Sequence, residues 1–268
     1  MTDKQRIKGR PVAIDYESTL AFFEGRAARE YRNALSSTMY QDQQPELVEE
    51  RDRREKLRVA PGLALGMARR VLDIGCGIGR WGWLLAEEAP QADYLGIDFS
   101  AALVEKACDE ARQRGYERLL FQRMSATDIR PAELALSPPY DLLLVSGLLI
   151  YLNDSDCQEL LRQALQLCAP GGRIYLREPV AVEQRLTLDR FFSKELEHEY
   201  SAVYRTVAEL KDMLVQAGGG EGPAILEEDC LFAEALEKRV ETRQYFHDPA
   251  ATGMTLCALP TASTWMEP

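Results

Sequence analysis

The chain has 268 residues, 46% hydrophobic and 28% charged, enough to bury one sizeable core and leave residues for a cap or lid. Its formal net charge is −11 and its Lys/Arg-rich stretches are interleaved with acids, which argues against a polyanionic partner such as nucleic acid. No apolar run approaches the ~20 residues needed to cross a bilayer, so no membrane role is expected.

Residues 1–6 are polar and lack a signal-peptide core, and the six cysteines at 76, 108, 157, 168, 230 and 257 show no Cys-x-x-Cys spacing. A cytoplasmic protein with reduced cysteines is the reading. His198 and His247 are far apart, so no metal site is expected. In chain order, residues 1–15 carry little structural signal. Helical periodicity over 16–35 and 44–60, with a break from Thr38 to Gln44 and Pro45 suited to a first helical turn, predicts an N-terminal helical cap spanning 1–66. Residues 49–56 alternate acids and bases and read as a solvated helix with i,i+4 pairs. Then strands at 70–75, 93–98, 118–124, 140–147 and 172–178 alternate with helices at 80–88, 101–114 and 155–168. This alternation predicts an α/β fold with a doubly wound, mostly parallel sheet over 67–180. Residues 181–204 show no clean strand pattern and read as a lid, followed by a helix at 205–217 that ends at Gly218-Gly219-Gly220. Apolar runs at 224–233 and 254–259 would close the sheet, so that 181–268 completes the same domain.

The most informative stretch is Val71-Leu72-Asp73-Ile74-Gly75-Cys76-Gly77-Ile78-Gly79-Arg80-Trp81. It reads as a strand, a tight turn and a helix start. Glycine permits the left-handed turn and leaves bare backbone for a ligand, while the helix N-terminus offers free N–H groups to an anion. Tyr94-Leu95-Gly96-Ile97-Asp98 ends a second strand in a carboxylate, placed to accept paired ribose hydroxyls. Both features suit an adenosine-containing ligand, whether NAD or S-adenosylmethionine (SAM). Arg80 stands where the dinucleotide fingerprint needs its third glycine, which disfavours a nicotinamide dehydrogenase.

Two further blocks, Tyr140-Asp141-Leu142-Leu143-Leu144-Val145-Ser146-Gly147 and Cys168-Ala169-Pro170-Gly171-Gly172-Arg173-Ile174-Tyr175-Leu176-Arg177-Glu178, follow in this order. Together with the glycine turn and the acid they resemble the class I SAM-dependent methyltransferase family over residues 68–180. The resemblance implies a seven-stranded Rossmann-like sheet and SAM as cofactor, leaving S-adenosylhomocysteine as product. It implies that Asp73, Gly75, Cys76, Gly77 and Gly79 frame the methionine end of SAM and that Asp98 accepts the ribose hydroxyls. Phe99 and Ser100 would lie beside the adenine, Ser125 and Ala126 at its edge, and Ser146 and Gly147 under the sulfonium. Met124-Ser125-Ala126 departs from the usual Gly-Asp-Ala, so Ser125 or Asp128 would replace the carboxylate that meets the adenine amino group.

Arg80 is the candidate partner of the methionine carboxylate, and Tyr31, Tyr40 and Trp81 are candidates to line the cleft near the cationic sulfur. Ser137-Pro138-Pro139-Tyr140 looks like the signature of base-modifying amino-group methyltransferases, but it enters its strand from the end remote from the ligand side and reads as a rigid loop. Residues 38–42, 45–47, 51–52, 200–206 and 241–244 resemble a subgroup of bacterial methyltransferases found with sugar and natural-product pathways, which implies a small-metabolite acceptor; methylation of a small polar metabolite at oxygen is the expectation, with Tyr200, Tyr204 and Arg205 as substrate-binding candidates. An alcohol or amine needs a base, for which His198 and Glu178 are candidates. An anionic acceptor needs only cationic clamps, for which Arg177, Arg185, Arg190 and Arg205 are available. N-methylation of a small amine, and a SAM-binding scaffold or cyclase without methyl transfer, stay open.

Overall fold

The protein is described by a computed structural model over residues 6–39, 45–194, 196–219, 224–237 and 240–248. A central sheet is built from β2 (Arg70–Ile74), β3 (Asp93–Asp98), β4 (Leu119–Arg123), β5 (Tyr140–Ser146), β6 (Cys168–Ala181), β9 (Ala224–Glu237) and β10 (Val240–Asp248). Its order is β4-β3-β2-β5-β6-β10-β9. The first five strands run parallel, and β10 is antiparallel to both β6 and β9. From β2 the chain winds outward through β3 to β4, then returns to lay β5 on the other side of β2. The switch point therefore falls between β2 and β5, and their C-terminal ends open the crevice where ligands bind in such sheets.

The two-residue period of a strand decides which side chains reach each face. Leu72, Ile74, Leu143, Val145, Ile174 and Leu176 pack under α6 (Asp154–Leu167) and α7 (Val207–Ala217). The alternate positions Val71, Tyr94, Leu142, Leu144 and Tyr175 meet α4 (Arg80–Glu88) and α3 (Pro45–Leu63) on the opposite face. The connection from β3 to β4 is α5 (Ala101–Arg114).

Four predicted elements differ from the structure. The helix expected over 16–35 stops as α1 (Tyr16–Ala28), because Arg29 takes extended backbone and closes it, and a short α2 (Ser36–Met39) follows, reaching into the break expected from Thr38. The expected turn at Ala169–Gly172 lies inside β6 as a bulge: Tyr140 pairs with Cys168 but Leu142 with Arg173. The region read as a lid without strands, and part of the region read as unstructured, form a second sheet. It is three-stranded, from β1 (Arg6–Lys8), β7 (Leu186–Ser193) and β8 (His198–Tyr204), in the order β1-β7-β8. A bulge between Leu188 and Phe191, with Arg190 at φ 46°, breaks the alternation that would have marked β7. The strand paired with β6 is 240–248, whereas the run at 254–259 lies outside the described residues.

Candidate active site

The loop after β2 is held against β3 by the Gly75 and Cys76 N–H groups, which donate to the Ile97 carbonyl at 2.8 and 3.0 Å. Gly79 has φ 84°, and a Cβ there would stand 2.6 Å from the Phe121 ring. Gly77 has φ 56°, and a Cβ there would meet Thr38 at 2.9 Å. Only glycine at these positions lets the turn approach its neighbours this closely.

Asp98 closes β3 beside this turn. Its Oδ2 accepts from the Gly77 N–H and its Oδ1 from the Ser100 N–H, both at 2.9 Å. Each oxygen keeps capacity to accept a further hydrogen bond, and Asp98 lines the crevice. Burial pushes the Asp98 carboxyl up to about 6, while the two N–H donors act in the other direction. A crevice floored by bare backbone and walled by one fixed carboxylate suits the vicinal hydroxyls of a ribose.

The crevice is a cavity of about 460 Å³. Gly75, Cys76, Gly77, Arg80, Asp98, Phe99, Ser125, Ala126, Ser146 and Gly147 all line it, joined by Trp81, Tyr200 and Tyr204. Tyr40 lies outside the described residues.

The other candidates stand elsewhere, for reasons the strand period and capping supply. Asp73 shares the parity of Val71, so it points under α4, accepts from the Tyr94 hydroxyl at 2.6 Å and is raised to about 7 by burial. Gly79 backs onto Phe121, and Ser100 caps α5 by accepting from the Leu103 N–H. Neither is a cavity wall. Glu178 has the parity of Leu176 and faces α6. Its Oε1 accepts from the N–H groups of Leu148 and Leu149 at 2.8 and 2.9 Å, and burial pushes it up to about 7. It positions the loop after β5 and is not among the cavity walls. His198 is exposed on β8, with Nδ1 2.6 Å from the Glu199 carbonyl oxygen and its ring edge-on to Phe22, away from the cavity.

Arg205 is buried and donates to Asp154 and to the carbonyls of Leu149 and Leu152, all within 2.9 Å. It braces the structure and is not among the cavity walls. Arg185 pairs with Asp154 and Glu209, and Arg190 is exposed beside Asp189. Of these four arginines Arg177 alone is a cavity wall. Tyr31 packs under the Arg26 guanidinium and Asp128 sits near Arg130.

Sequence reading missed the anchoring of Arg80. Its guanidinium lies between Asp52, at 2.6 Å, and Glu55, at 2.9 Å, and stacks on the Trp81 ring. Within the stretch read as solvated, Glu50 with Arg53 and Arg54 does face solvent, but Asp52 and Glu55 are buried. The signal was present: Val48, Asp52, Glu55 and Val59 fall at helical spacing on one buried stripe of α3. The apolar cavity wall of Tyr151, Leu186, Leu188, Phe191 and Leu196 was also missed, because it depends on the three-stranded sheet.

Among the described residues no cluster of three or more metal-ligating side chains occurs, and no helix is long and apolar enough to cross a membrane. The Ser137–Tyr140 loop enters β5 at its N-terminal end and contributes nothing to the cavity.

Sheet order, switch-point crevice and glycine turn together define a nucleotide-type α/β fold. Solved structures narrow this. The chain superposes on a SAM-dependent methyltransferase from Leishmania major with a TM-score of 0.62 at 17% identity, covering 86% of this chain and 82% of that one. It also superposes on the [4+2]-cyclase SpnF with a TM-score of 0.60 at 18% identity, covering 90% and 98%. The fold is that of the SAM-dependent methyltransferases. A family model described as a methyltransferase domain matches residues 66–229, and the chain belongs to that family.

Curated relatives include phosphoethanolamine N-methyltransferase 1 of Triticum aestivum, 29% identical over 53% of this chain and 27% of the relative. Trans-aconitate 2-methyltransferase of Deinococcus radiodurans is 34% identical over 41% of this chain and 38% of the relative. The matched stretch thus spans well under half of either relative.

Proposed function

We propose that this chain transfers a methyl group from SAM to an oxygen of a small-molecule acceptor. The observation that carries the reading is the Asp98 carboxylate, fixed by two backbone N–H groups at the edge of the glycine turn and open to the cavity. Bound SAM would supply an electrophilic methyl on a cationic sulfur. Asp98 would accept the ribose hydroxyls, Gly75, Cys76 and Gly77 would bare their backbone to the methionine portion, and Phe99, Ser125 and Ala126 would border the adenine. Ser146 and Gly147, where β5 ends, would lie beneath the sulfur, and Arg80 would face the carboxylate.

In-line displacement chiefly demands position, and the cap and the three-stranded sheet would hold the acceptor and exclude water. The relatives' names, phosphoethanolamine and trans-aconitate, support a small organic acceptor. Oxygen is favoured over a protonated amine because three arginines and one aspartate are the Arg, Lys, Asp and Glu residues among the described cavity walls. The apolar wall of Tyr151, Leu186 and Phe191 favours a natural-product-type intermediate over a free sugar. Incubation with methyl-labelled SAM and an acceptor panel tests this. S-adenosylhomocysteine release together with label in an acid- or ether-type product supports it. Cofactor binding without release across the panel favours a scaffold or cyclase, and label on nitrogen overturns the oxygen assignment.

A further inference from the structure

The cavity carries a charge opposite to that of the chain. The protein is −11 overall, yet Arg51, Arg80 and Arg177 face the cavity against Asp98. Behind this wall lies a buried ionic cluster. Lys56 pairs with Asp52 at 2.7 Å, Arg80 with Asp52 and Glu55, and Arg177 with Glu55 at 3.1 Å. Three cations share two carboxylates. Burial, aided by the charge on Arg80, pulls the Lys56 ammonium below its ordinary value, although Asp52 and Glu55 oppose it. The methyl donor of the reading above does not remove this excess, because its carboxylate arrives with an ammonium and a sulfonium.

Arg177 is the member of the cluster placed to meet a second ligand. It shares the parity of Tyr175, so it turns from the α6 face toward α3 and the cavity. The Gly147 N–H donates to its carbonyl at 2.7 Å, and a Cβ on Gly147 would stand 3.2 Å from its Nη1. Its Nε lies 3.1 Å from Glu55 Oε1, and among the described residues no hydrogen bond engages its two terminal nitrogens. The wall beyond is apolar and aromatic, formed by Tyr151, Leu186, Leu188, Phe191 and Tyr200.

We propose that the acceptor is an organic anion with an apolar, ring-bearing body, whose ionised oxygen is held by Arg177 beside Gly147 for methylation. This rests on the methyl-transfer reading and names its substrate class. In the step an oxygen lone pair forms a bond to the methyl carbon while the carbon–sulfur bond breaks, its electron pair remaining on sulfur. A sulfonium and an oxyanion become a neutral thioether and a neutral ester or ether. No proton moves, so no general base is needed, and the cavity loses one charge of each sign.

The test starts with S-adenosylhomocysteine titrated into the wild-type protein. Failure to bind removes the methyl-transfer reading, and this inference with it. The saturated protein is then titrated with benzoate, phenylacetate and cinnamate, each against its neutral amide. For at least one pair the acid should bind about tenfold tighter or more, the scale of one charged hydrogen-bond pair. The preference should shrink to within about twofold in Arg177→Met and be partly restored in Arg177→Lys, with thermal melts reporting that each variant is folded. If S-adenosylhomocysteine binds but no acid exceeds its amide, or if the preference survives in Arg177→Met, the proposal is wrong and the methyl-transfer reading stands. The acid–amide comparison in wild-type protein holds even if a variant does not fold.

Discussion

The two halves of the cavity are built by different means. The donor half is made of backbone: a glycine turn tied to Ile97 and a carboxylate gripped by the Gly77 and Ser100 N–H groups. The acceptor half is made of side chains brought from distant segments, with Tyr16 and Phe23 from α1, Leu186 from β7 and Tyr200 from β8. A backbone cradle fixes which residue types can stand in it, and it fits one shape of ligand. A wall of side chains can be exchanged residue by residue, which is how one fold takes many acceptors.

If this contrast is correct, damage to the donor half is steric and severe. Gly79→Ala places a Cβ against the Phe121 ring at φ 84°. Left-handed strain and overpacking together should cost about 3 kcal/mol or more of stability, read by denaturant unfolding. A tolerated alanine would show that the turn is pliable. Arg205→Ala probes the boundary between the halves. It strips the Leu149 and Leu152 carbonyls of their guanidinium donor and leaves Asp154 with Arg185 alone, for a loss of about 3 kcal/mol. Donor affinity of the folded protein should be unchanged, and a specific loss of turnover at full stability would return Arg205 to the substrate.

A smaller effect follows from Asp73 and Glu178, both raised to about 7 by burial. For a carboxyl raised above its unfolded value, the stabilisation is complete below about pH 4 and is lost as pH climbs through the folded value. Stability should therefore fall from pH 5 to pH 8. Glu178→Gln keeps an oxygen for the Leu148 and Leu149 N–H groups and should flatten this fall, raising Tm at pH 8 by about 2–4 °C. An unchanged pH profile would mean that Glu178 is ionised in the fold throughout. Least of all should happen on His198→Ala, since the ring is exposed and hydrogen-bonded to its own neighbour. Turnover should stay within about twofold, as at other surface positions free of special contacts, and a large loss would return it to the mechanism.

The same contrast governs what could be read from the sequence. The donor half was legible because its signals are local: three glycines at alternate positions, and an acid ending an apolar strand. Motif matching groups residues by position along the chain, whereas strand parity sorts them by face. The two-residue period along β2 and β6 separates Arg177 from Glu178 and turns Asp73 under α4, away from the cavity. The acceptor half was not legible for a different reason. β1 is three residues long and exists through its pairing with β7, and β7 is bulged, so neither carries a local period. On α3 the spacing of Val48, Asp52, Glu55 and Val59 marks the buried stripe, but the partners of its two acids, Arg80 and Arg177, are distant in sequence and carry no local signal.

The account rests on the Asp98 carboxylate holding the ribose of an adenosyl ligand at the glycine turn. Calorimetric titration of S-adenosylhomocysteine into wild-type and Asp98→Ala protein at pH 7.5 measures this directly. The account predicts one-to-one binding to the wild type, weakened about 10- to 150-fold in the variant, the equivalent of about 1.5–3 kcal/mol for hydrogen bonds to a charged group. Equal affinity in both proteins, or no binding to either, would contradict it.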